Sequence, residues 1–96
     1  MNIVLCLDGV IRSETGDFVS DGLILYRSLH TVGRVVLLTS LDRTAADVWL
    51  MMHNMSDYDD LIDASVALDP AENLRVRQLQ VARTRGNIDF YVDADP

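Results

Sequence analysis

The sequence has no lysine, a single cysteine and no long apolar run, and each shortage excludes a class of protein. All eight basic residues are arginines, so no role that requires a lysine can be filled by this chain. One cysteine, Cys6, excludes an internal disulfide and fits a reducing compartment. No apolar run reaches the roughly 18 to 20 residues of a membrane span, and no signal-type leader is present. These features predict a soluble, cytoplasmic protein.

Positive charge is also scarce. The formal net charge is −7 and the pI is near 4.4, which predicts repulsion from phosphate backbones and anionic lipid surfaces. Nucleic-acid and membrane binding are therefore not expected, whereas small ligands that bring their own cation remain compatible. Of the 96 residues, 49% are hydrophobic, enough for one core. We expect a single domain spanning 1–96.

Apolar runs of strand type alternate with stretches of helical period, which predicts an α/β domain with a mainly parallel sheet. The predicted strands are 2–7, 34–40, a short strand within 61–68, and 88–92. The predicted helices begin at Ser20 as cap, near Asp42, and at Asp69-Pro70-Ala71-Glu72, where Asp69 is the expected cap. A hairpin is expected at 10–19, with its turn at Gly16.

The buried faces of the first two helices follow from helical spacing. In the first helix this face is expected to carry Leu25, Leu29 and Val32, and in the second Ala45, Val48, Trp49 and Met52.

Polar residues follow three predicted strands at their carboxyl ends, where open α/β sheets bind ligands. These residues are Cys6 and Asp8, Thr39 and Ser40, and Asp93 and Asp95. Two of these features also have a purely structural interpretation. Cys6 can be a small core residue, and Thr39-Ser40 can be only a helix cap.

Together these motifs resemble the haloacid dehalogenase-like (HAD) superfamily. Cys6-Leu7-Asp8-Gly9 resembles its motif I, the 10–19 hairpin its flap, Val35 to Ser40 its motif II, and Phe90 to Asp95 its motif IV. The resemblance implies a Rossmann-like (HAD-like) three-layer α/β fold with a flap hairpin after the first strand. The short distance from flap to motif II implies a capless member, a type that suits large or flexible phosphorylated substrates.

The resemblance also implies a role for each matching residue. Asp8 corresponds to the general acid and base and, through its carbonyl, to a metal contact. The phosphate hydroxyls are Thr39 or Ser40, and the motif III cation is Arg75 or Arg77. Asp93, with Asp95, corresponds to the ligands of a magnesium ion.

Cys6 departs from the family pattern, because the first aspartate of motif I is the family's nucleophile and a magnesium ligand. A thiol is soft and usually protonated, whereas magnesium prefers oxygen. The implied Mg²⁺ site is therefore weakened, and phosphatase turnover is expected to be weak or absent. The sequence stops soon after motif IV, so the last helix and strand of the family are expected to be missing.

A second interpretation uses Cys6 as a nucleophile. Cys6, Arg12 and Ser13 fit the Cys-x5-Arg-Ser pattern of cysteine-dependent phosphatases, and the segment resembles the low-molecular-weight tyrosine phosphatases, whose general-acid Asp-Pro is matched by Asp95-Pro96. Against it, 14–17 predicts a turn rather than a helix. The carboxylate of Asp8 would also repel phosphate and raise the pKa of the thiol.

The sequence therefore predicts a HAD-like pseudo-phosphatase, a non-catalytic or weakly active module that binds phosphate and magnesium or has a regulatory role. Its partner would be a phosphorylated small molecule or a protein, and homo-oligomers remain compatible. One alternative is an active phosphatase or nucleotidase-like phosphoric-ester hydrolase, acting by residual HAD chemistry or by a Cys6 thiolate. Another is a structural subunit of an assembly.

Overall fold

Four parallel strands form one sheet in the computed structural model, which describes residues 1–94. The elements are β1 (Asn2–Cys6), α1 (Ser20–His30), β2 (Arg34–Leu38), α2 (Arg43–Met52), β3 (Asp60–Ile62), a 3-10 turn (Ala64–Val66), α3 (Leu74–Thr84) and β4 (Phe90–Val92). The strand order is β3-β2-β1-β4, and every pairing is parallel. The predicted α/β class with a parallel sheet is confirmed, and the architecture is compatible with a Rossmann-like fold.

The two central strands are apolar on both faces. Residues 3–6 of β1 are at most 1% exposed, and 35–38 of β2 at most 4%. A strand covered on both faces reads as a continuous apolar run rather than an alternation. The predicted strands 2–7 and 34–40 extend beyond the observed β1 and β2. Single hydrogen bonds do continue the pairing past the strand ends, from Leu7 N to Leu38 O and from Thr39 N to Ile62 O.

The helices cover both faces of the sheet. On one face, Leu5 and Leu37 pack with Tyr26 of α1 and Leu50 of α2. On the other face, Val4, Cys6, Val36 and Leu38 pack with Ala82 of α3. Alternation along β1 therefore directs Cys6 towards α3 and its neighbour Leu5 towards α1 and α2.

The predicted buried face of α1 is confirmed only at Leu29, which is partly buried against the core, and is wrong at Leu25 and Val32. Gly22 and Tyr26 are the buried residues of this helix, whereas Leu25 is 37% and Val32 60% exposed. A Cβ on Gly22 would lie 1.8 Å from the carbonyl oxygen of Val10, so α1 packs directly on the backbone there. The predicted Ser20 cap was also wrong, because the N-cap is Val19, which makes no side-chain hydrogen bond.

The start of α2 was predicted correctly, but of its predicted buried face only Trp49 is partly buried against the core, and Ala45 is exposed. The Asp42 carboxylate caps the helix by accepting a hydrogen bond from Ala45 N at 2.8 Å. Ala46 and Leu50 are the buried positions, while Val48 is 46% and Met52 75% exposed.

The predicted start of α3 was displaced. Asp69 and Glu72 do exchange hydrogen bonds, with Glu72 Oε1 accepting from Asp69 N at 3.2 Å, but they form a separate turn. The helix is capped by Asn73, whose Oδ1 accepts from Val76 N at 3.1 Å. A capping pattern thus formed its local hydrogen bonds without starting the helix.

The segment 10–19 folds back on itself without forming strands. Val19 N donates to Ile11 O at 2.7 Å and Ser13 N to Asp17 O at 2.9 Å, so it is a looped turn and a β-hairpin is not confirmed. This segment is fixed to α2 by aromatic contacts. The indole N–H of Trp49 donates to Gly16 O at 3.0 Å, and the ring centroids of Trp49 and His53 are 4.0 Å apart.

Phe18 completes this aromatic group by stacking on His53 at 5.3 Å between ring centroids.

Among the described helices, none is long and apolar enough to cross a membrane.

Candidate functional site

The strand order brings three of the predicted motifs to one edge of the sheet. Because β1 lies between β2 and β4, the carboxyl ends of these three parallel strands are neighbours. They carry Cys6 and Asp8 after β1, Thr39 and Ser40 after β2, and Asp93 after β4. We refer to this group, with Arg75, as the strand-end site.

Arg75, in the first turn of α3, joins the ends of β1 and β4. Its Nη1 donates to Cys6 Sγ at 2.8 Å and to Tyr91 Oη at 3.0 Å, and it also bonds to Asp93 Oδ2. The Arg75 side chain is 31% exposed and that of Asp93 only 15%. A partly buried guanidinium therefore neutralises the carboxylate that follows β4.

Tyr91 is a member of the site that the sequence analysis missed. Its hydroxyl donates to Asp93 Oδ2 at 2.6 Å and accepts a weak hydrogen bond from Cys6 Sγ at 3.4 Å. The signal was present in the sequence, because Tyr91 lies two residues before Asp93 along a strand direction, where side chains share a side.

Cys6 is fully buried at the centre of these contacts. Burial raises the pKa of its thiol to about 11, against the opposing effects of the Tyr91 hydrogen bond and the Arg75 charge. Burial likewise raises the pKa of Tyr91, and the hydrogen bond to Asp93 adds to the rise. Both groups are therefore neutral at physiological pH, and Cys6 is not a thiolate.

Asp8 turns towards the end of β2. Its Oδ2 accepts a 2.6 Å hydrogen bond from Ser40 N, and its Oδ1 accepts one of 3.2 Å from Thr39 Oγ1. The Thr39 hydroxyl also accepts from Leu41 N at 3.1 Å, so it serves the turn before α2 as well. Arg12 Nη1 lies 3.8 Å from Asp8 Oδ1.

Gln78 is a second residue that the sequence analysis missed. It lies one turn after Arg75 on α3 and is fully buried. Its Nε2 donates to Thr39 O at 2.8 Å, to Asp63 O at 3.1 Å and to Ile62 O at 3.2 Å. A buried amide in a helix with charged neighbours gives no periodic signal that would single it out in a sequence.

An open pocket of about 510 Å³ lies at the strand-end site. It is lined by Asp8, Gly9, Glu14, Arg75, Asp93 and Ala94. Three carboxylates and one guanidinium give this lining a net negative charge when all are ionised. Oxyanions are therefore attracted by Arg75 and repelled by the carboxylates.

Other predicted site residues lie apart from this group or are not described. Arg77 turns away, with its Nε 3.3 Å from Val66 O and 3.9 Å from Glu72 Oε2. Asp95 and Pro96 lie outside the described residues, so the predicted second magnesium carboxylate and the Asp-Pro pair are not placed.

The segment Cys6–Ser13 uses several of its amides internally. Ile11 N and Arg12 N both donate to Leu7 O, at 3.0 and 2.9 Å, and Gly9 N donates to Arg12 O at 2.6 Å. A cysteine-phosphatase loop needs such amides to cradle phosphate around a thiolate. These three amides are instead bonded to carbonyls of the segment itself.

The described residues do not fit a magnesium ion. Within 1–94, no group of three or more His, Cys, Asp or Glu side chains could hold a metal. The Cys6 thiol is neutral and soft, Asp93 already accepts from Arg75 and Tyr91, and Asp8 is bonded to the end of β2.

Comparisons with protein-family models, with curated proteins and with solved structures found no match to this chain.

Proposed function

We propose that this chain is a HAD-like pseudo-phosphatase, a phosphohydrolase-type domain that lacks the nucleophile and serves as a phosphate-binding or regulatory module. Its ligand would be a phosphorylated small molecule or a phosphorylated site on a protein. Hydrolysis of the phosphoric ester, if measurable at all, would be slow.

The position of Arg75 carries this proposal. It is one of the two arginines, with Arg77, that the resemblance offers as the cation before motif IV, and its Nη1 contacts Cys6 Sγ at 2.8 Å as well as the Asp93 carboxylate. A cation from α3 between the ends of β1 and β4 is the arrangement that a phosphoryl site of this kind requires. The adjacency of the β1, β2 and β4 ends supports the same interpretation.

The missing catalytic power follows from position 6. Phosphoryl transfer depends chiefly on positioning and on charges that stabilise the transition state. In place of a carboxylate that attacks phosphorus and binds metal, the site has a buried thiol with its pKa raised to about 11. The described residues supply neither the nucleophile nor a set of ligands for the cation that would neutralise the transferred group.

The active alternative through a Cys6 thiolate has less support. A cysteine nucleophile requires a depressed pKa and free loop amides. Cys6 has a raised pKa, and three amides of its loop are bonded within the loop.

The pocket lining predicts modest affinity for phosphate. Glu14 is an exposed carboxylate at the rim, and it adds repulsion to that of Asp8 and Asp93. A ligand that brings a cationic group beside its phosphate would meet less repulsion.

Hydrolysis of a generic aryl phosphate tests the proposal, using the native chain, Cys6→Asp and Cys6→Ser, each with and without Mg²⁺. We expect the native chain and Cys6→Ser to be inert. We expect Cys6→Asp to gain magnesium-dependent turnover, because the new carboxylate would lie beside Arg75 and supply an oxygen ligand. Metal-independent turnover by the native chain that Cys6→Ser abolishes would overturn the proposal.

Binding of inorganic phosphate, followed by calorimetry, tests the non-catalytic part. Arg75→Gln should abolish measurable binding, while Arg77→Gln is the matched control on the same helix, outside the site. Absence of phosphate binding by the native chain at millimolar concentrations, or equal effects of the two variants, would contradict the proposed role of Arg75.

A further inference from the structure

The peptide unit that joins Thr39 to Ser40 is held from both sides. Its carbonyl oxygen, Thr39 O, accepts from Gln78 Nε2 at 2.8 Å, and its N–H, on Ser40, donates to Asp8 Oδ2 at 2.6 Å. In a planar trans peptide the C=O and N–H point in opposite directions. Fixing the carbonyl towards α3 therefore fixes the N–H towards the strand-end site.

Gln78 is the side chain that the fold places on the carbonyl side. It is 0% exposed, and the same Nε2 also lies within hydrogen-bond distance of Ile62 O and Asp63 O, at the end of β3. The three carbonyls assign the NH₂ to this end of the amide, because an amide oxygen in that place would be repelled by all three, and Oε1 at the other end is buried without a partner among the described residues. The neighbouring strand ends are thus joined through one buried NH₂ group.

The short Ser40 N–H to Asp8 contact is a charge-assisted hydrogen bond at the mouth of the site. The Thr39–Ser40 segment is also where the proposed function places phosphate contacts. An amide aimed at this edge can donate to a carboxylate or to a phosphate oxygen, provided that its peptide plane cannot rotate.

We infer that Gln78 is a positioning residue, which orients the Thr39–Ser40 peptide so that the Ser40 amide is presented to Asp8 and to a phosphate oxygen. The phosphate part of this inference rests on the proposed function. By this assignment α3 acts on the site twice: directly through Arg75, and one turn later through Gln78.

The test compares Gln78→Met with Gln80→Met by ¹H–¹⁵N NMR of the full chain. Gln78→Met keeps a similar volume and removes the donor, whereas Gln80 is exposed on the same helix and receives the same chemical change. We expect the Ser40 amide resonance of Gln78→Met to move upfield and its hydrogen exchange to become about tenfold faster. The Leu37 amide, within the central sheet, should keep its native exchange rate, and Gln80→Met should leave both amides unchanged.

A purely stabilising role would give a different result, because Ser40 and Leu37 would then accelerate together. That outcome, or an unmoved Ser40 amide, overturns the inference. Should Gln78→Met fail to fold, Gln78→Asn is judged by the same criterion, since it stays neutral but carries its NH₂ on a side chain one methylene shorter, away from Thr39 O.

Titration of the same NMR samples with inorganic phosphate separates the inference from the proposed function. A Ser40 amide that responds to Gln78→Met but not to phosphate in the native chain would support the positioning role and contradict phosphate binding. A Ser40 amide that responds to phosphate equally in both proteins would overturn the positioning role alone.

Discussion

At the scale of single residues, the chemistry of the site depends on the side chain at position 6. A thiol there is held neutral by burial, and it accepts a hydrogen bond from Arg75 and donates one to Tyr91. The same thiol therefore fills the core beneath α3 and completes the hydrogen bonds of the strand-end site. A free thiolate in this position would be costly, because it would lie fully buried.

We predict that the Cys6 thiol of the folded chain resists alkylation at pH 7 to 8. Its burial blocks access, and its raised pKa leaves almost no thiolate to react. The measurement is the rate of modification by iodoacetamide, followed by mass spectrometry, with the guanidinium-unfolded chain as control. Rapid labelling of the folded chain at pH 7 would contradict the assignment of Cys6 as a neutral core thiol.

The same pKa shift predicts how stability changes with pH. Burial raises the thiol pKa from its ordinary value of 9.0 to about 11 on folding, so the folded state binds the proton more tightly. The resulting stabilisation is fully present below about pH 9 and is lost as the pH rises towards 11. Denaturant unfolding across this pH range should show that the free energy of unfolding falls less steeply for Cys6→Ala than for the native chain. Equal declines in the two chains would contradict the raised pKa of Cys6 in the folded state.

At the scale of elements, the position of α1 depends on Gly22. Tyr26, one turn later on the same face, is fully buried and donates to Asp57 Oδ1 at 2.9 Å. The contact of Gly22 with the backbone of Val10 and Ile11 sets the distance of α1 from the segment that carries Asp8 and Arg12.

We predict that Gly22→Ala destabilises the chain by more than about 2 kcal/mol, although alanine is by about 1 kcal/mol the better helix former. The added Cβ would meet Val10 O at 1.8 Å, and both partners are backbone that cannot rotate away. Urea unfolding measures the loss, with Asp21→Ala at the exposed neighbouring position as control. A more stable Gly22→Ala chain would show that α1 can shift.

This glycine also shows how far the sequence could predict the structure. Strand positions and the parallel sheet followed from apolar runs, and Asp42 was a correct cap. Of the predicted buried faces of α1 and α2, only Leu29 and Trp49 pack on the core, because apolar side chains outnumber the buried positions and close backbone contact at Gly22 leaves no periodic signal. In the site, polar strand ends revealed Cys6, Asp8 and Thr39, but Gln78 required knowledge of which carbonyls α3 meets.

At the scale of the whole molecule, the arginines are largely used for internal pairing. Within residues 1–94, seven of the eight lie within 4 Å of a carboxylate: Arg12, Arg27, Arg34, Arg43, Arg75, Arg77 and Arg85. In five of these pairs the arginine side chain is exposed, and such pairs contribute little stability. Their effect is instead on the electrostatic surface of the molecule. Because these arginines are paired with carboxylates, they offer little positive charge to an anionic ligand, and the net charge is −7.

We predict that neither EDTA nor Mg²⁺ changes the thermal unfolding midpoint of the native chain beyond the effect of matched ionic strength. A ligand that binds only the folded state would raise it, but the described carboxylates at the site already have partners. Calorimetric scans with and without Mg²⁺ at roughly 5 to 10 mM, a concentration suited to detecting a weak site, measure the midpoint. A saturable rise that Asp93→Asn removes would reveal a metal site.

The contact between Trp49 and the looped segment gives the molecule a built-in optical reporter. Trp49 is the single tryptophan, its indole N–H is bonded to Gly16 O, and its ring lies against His53. Its fluorescence therefore reports the docking of the 10–19 segment, in which Glu14, two residues before Gly16, lines the pocket. Release of that segment would expose the indole to water, so a red shift in emission would follow the motion without any added dye.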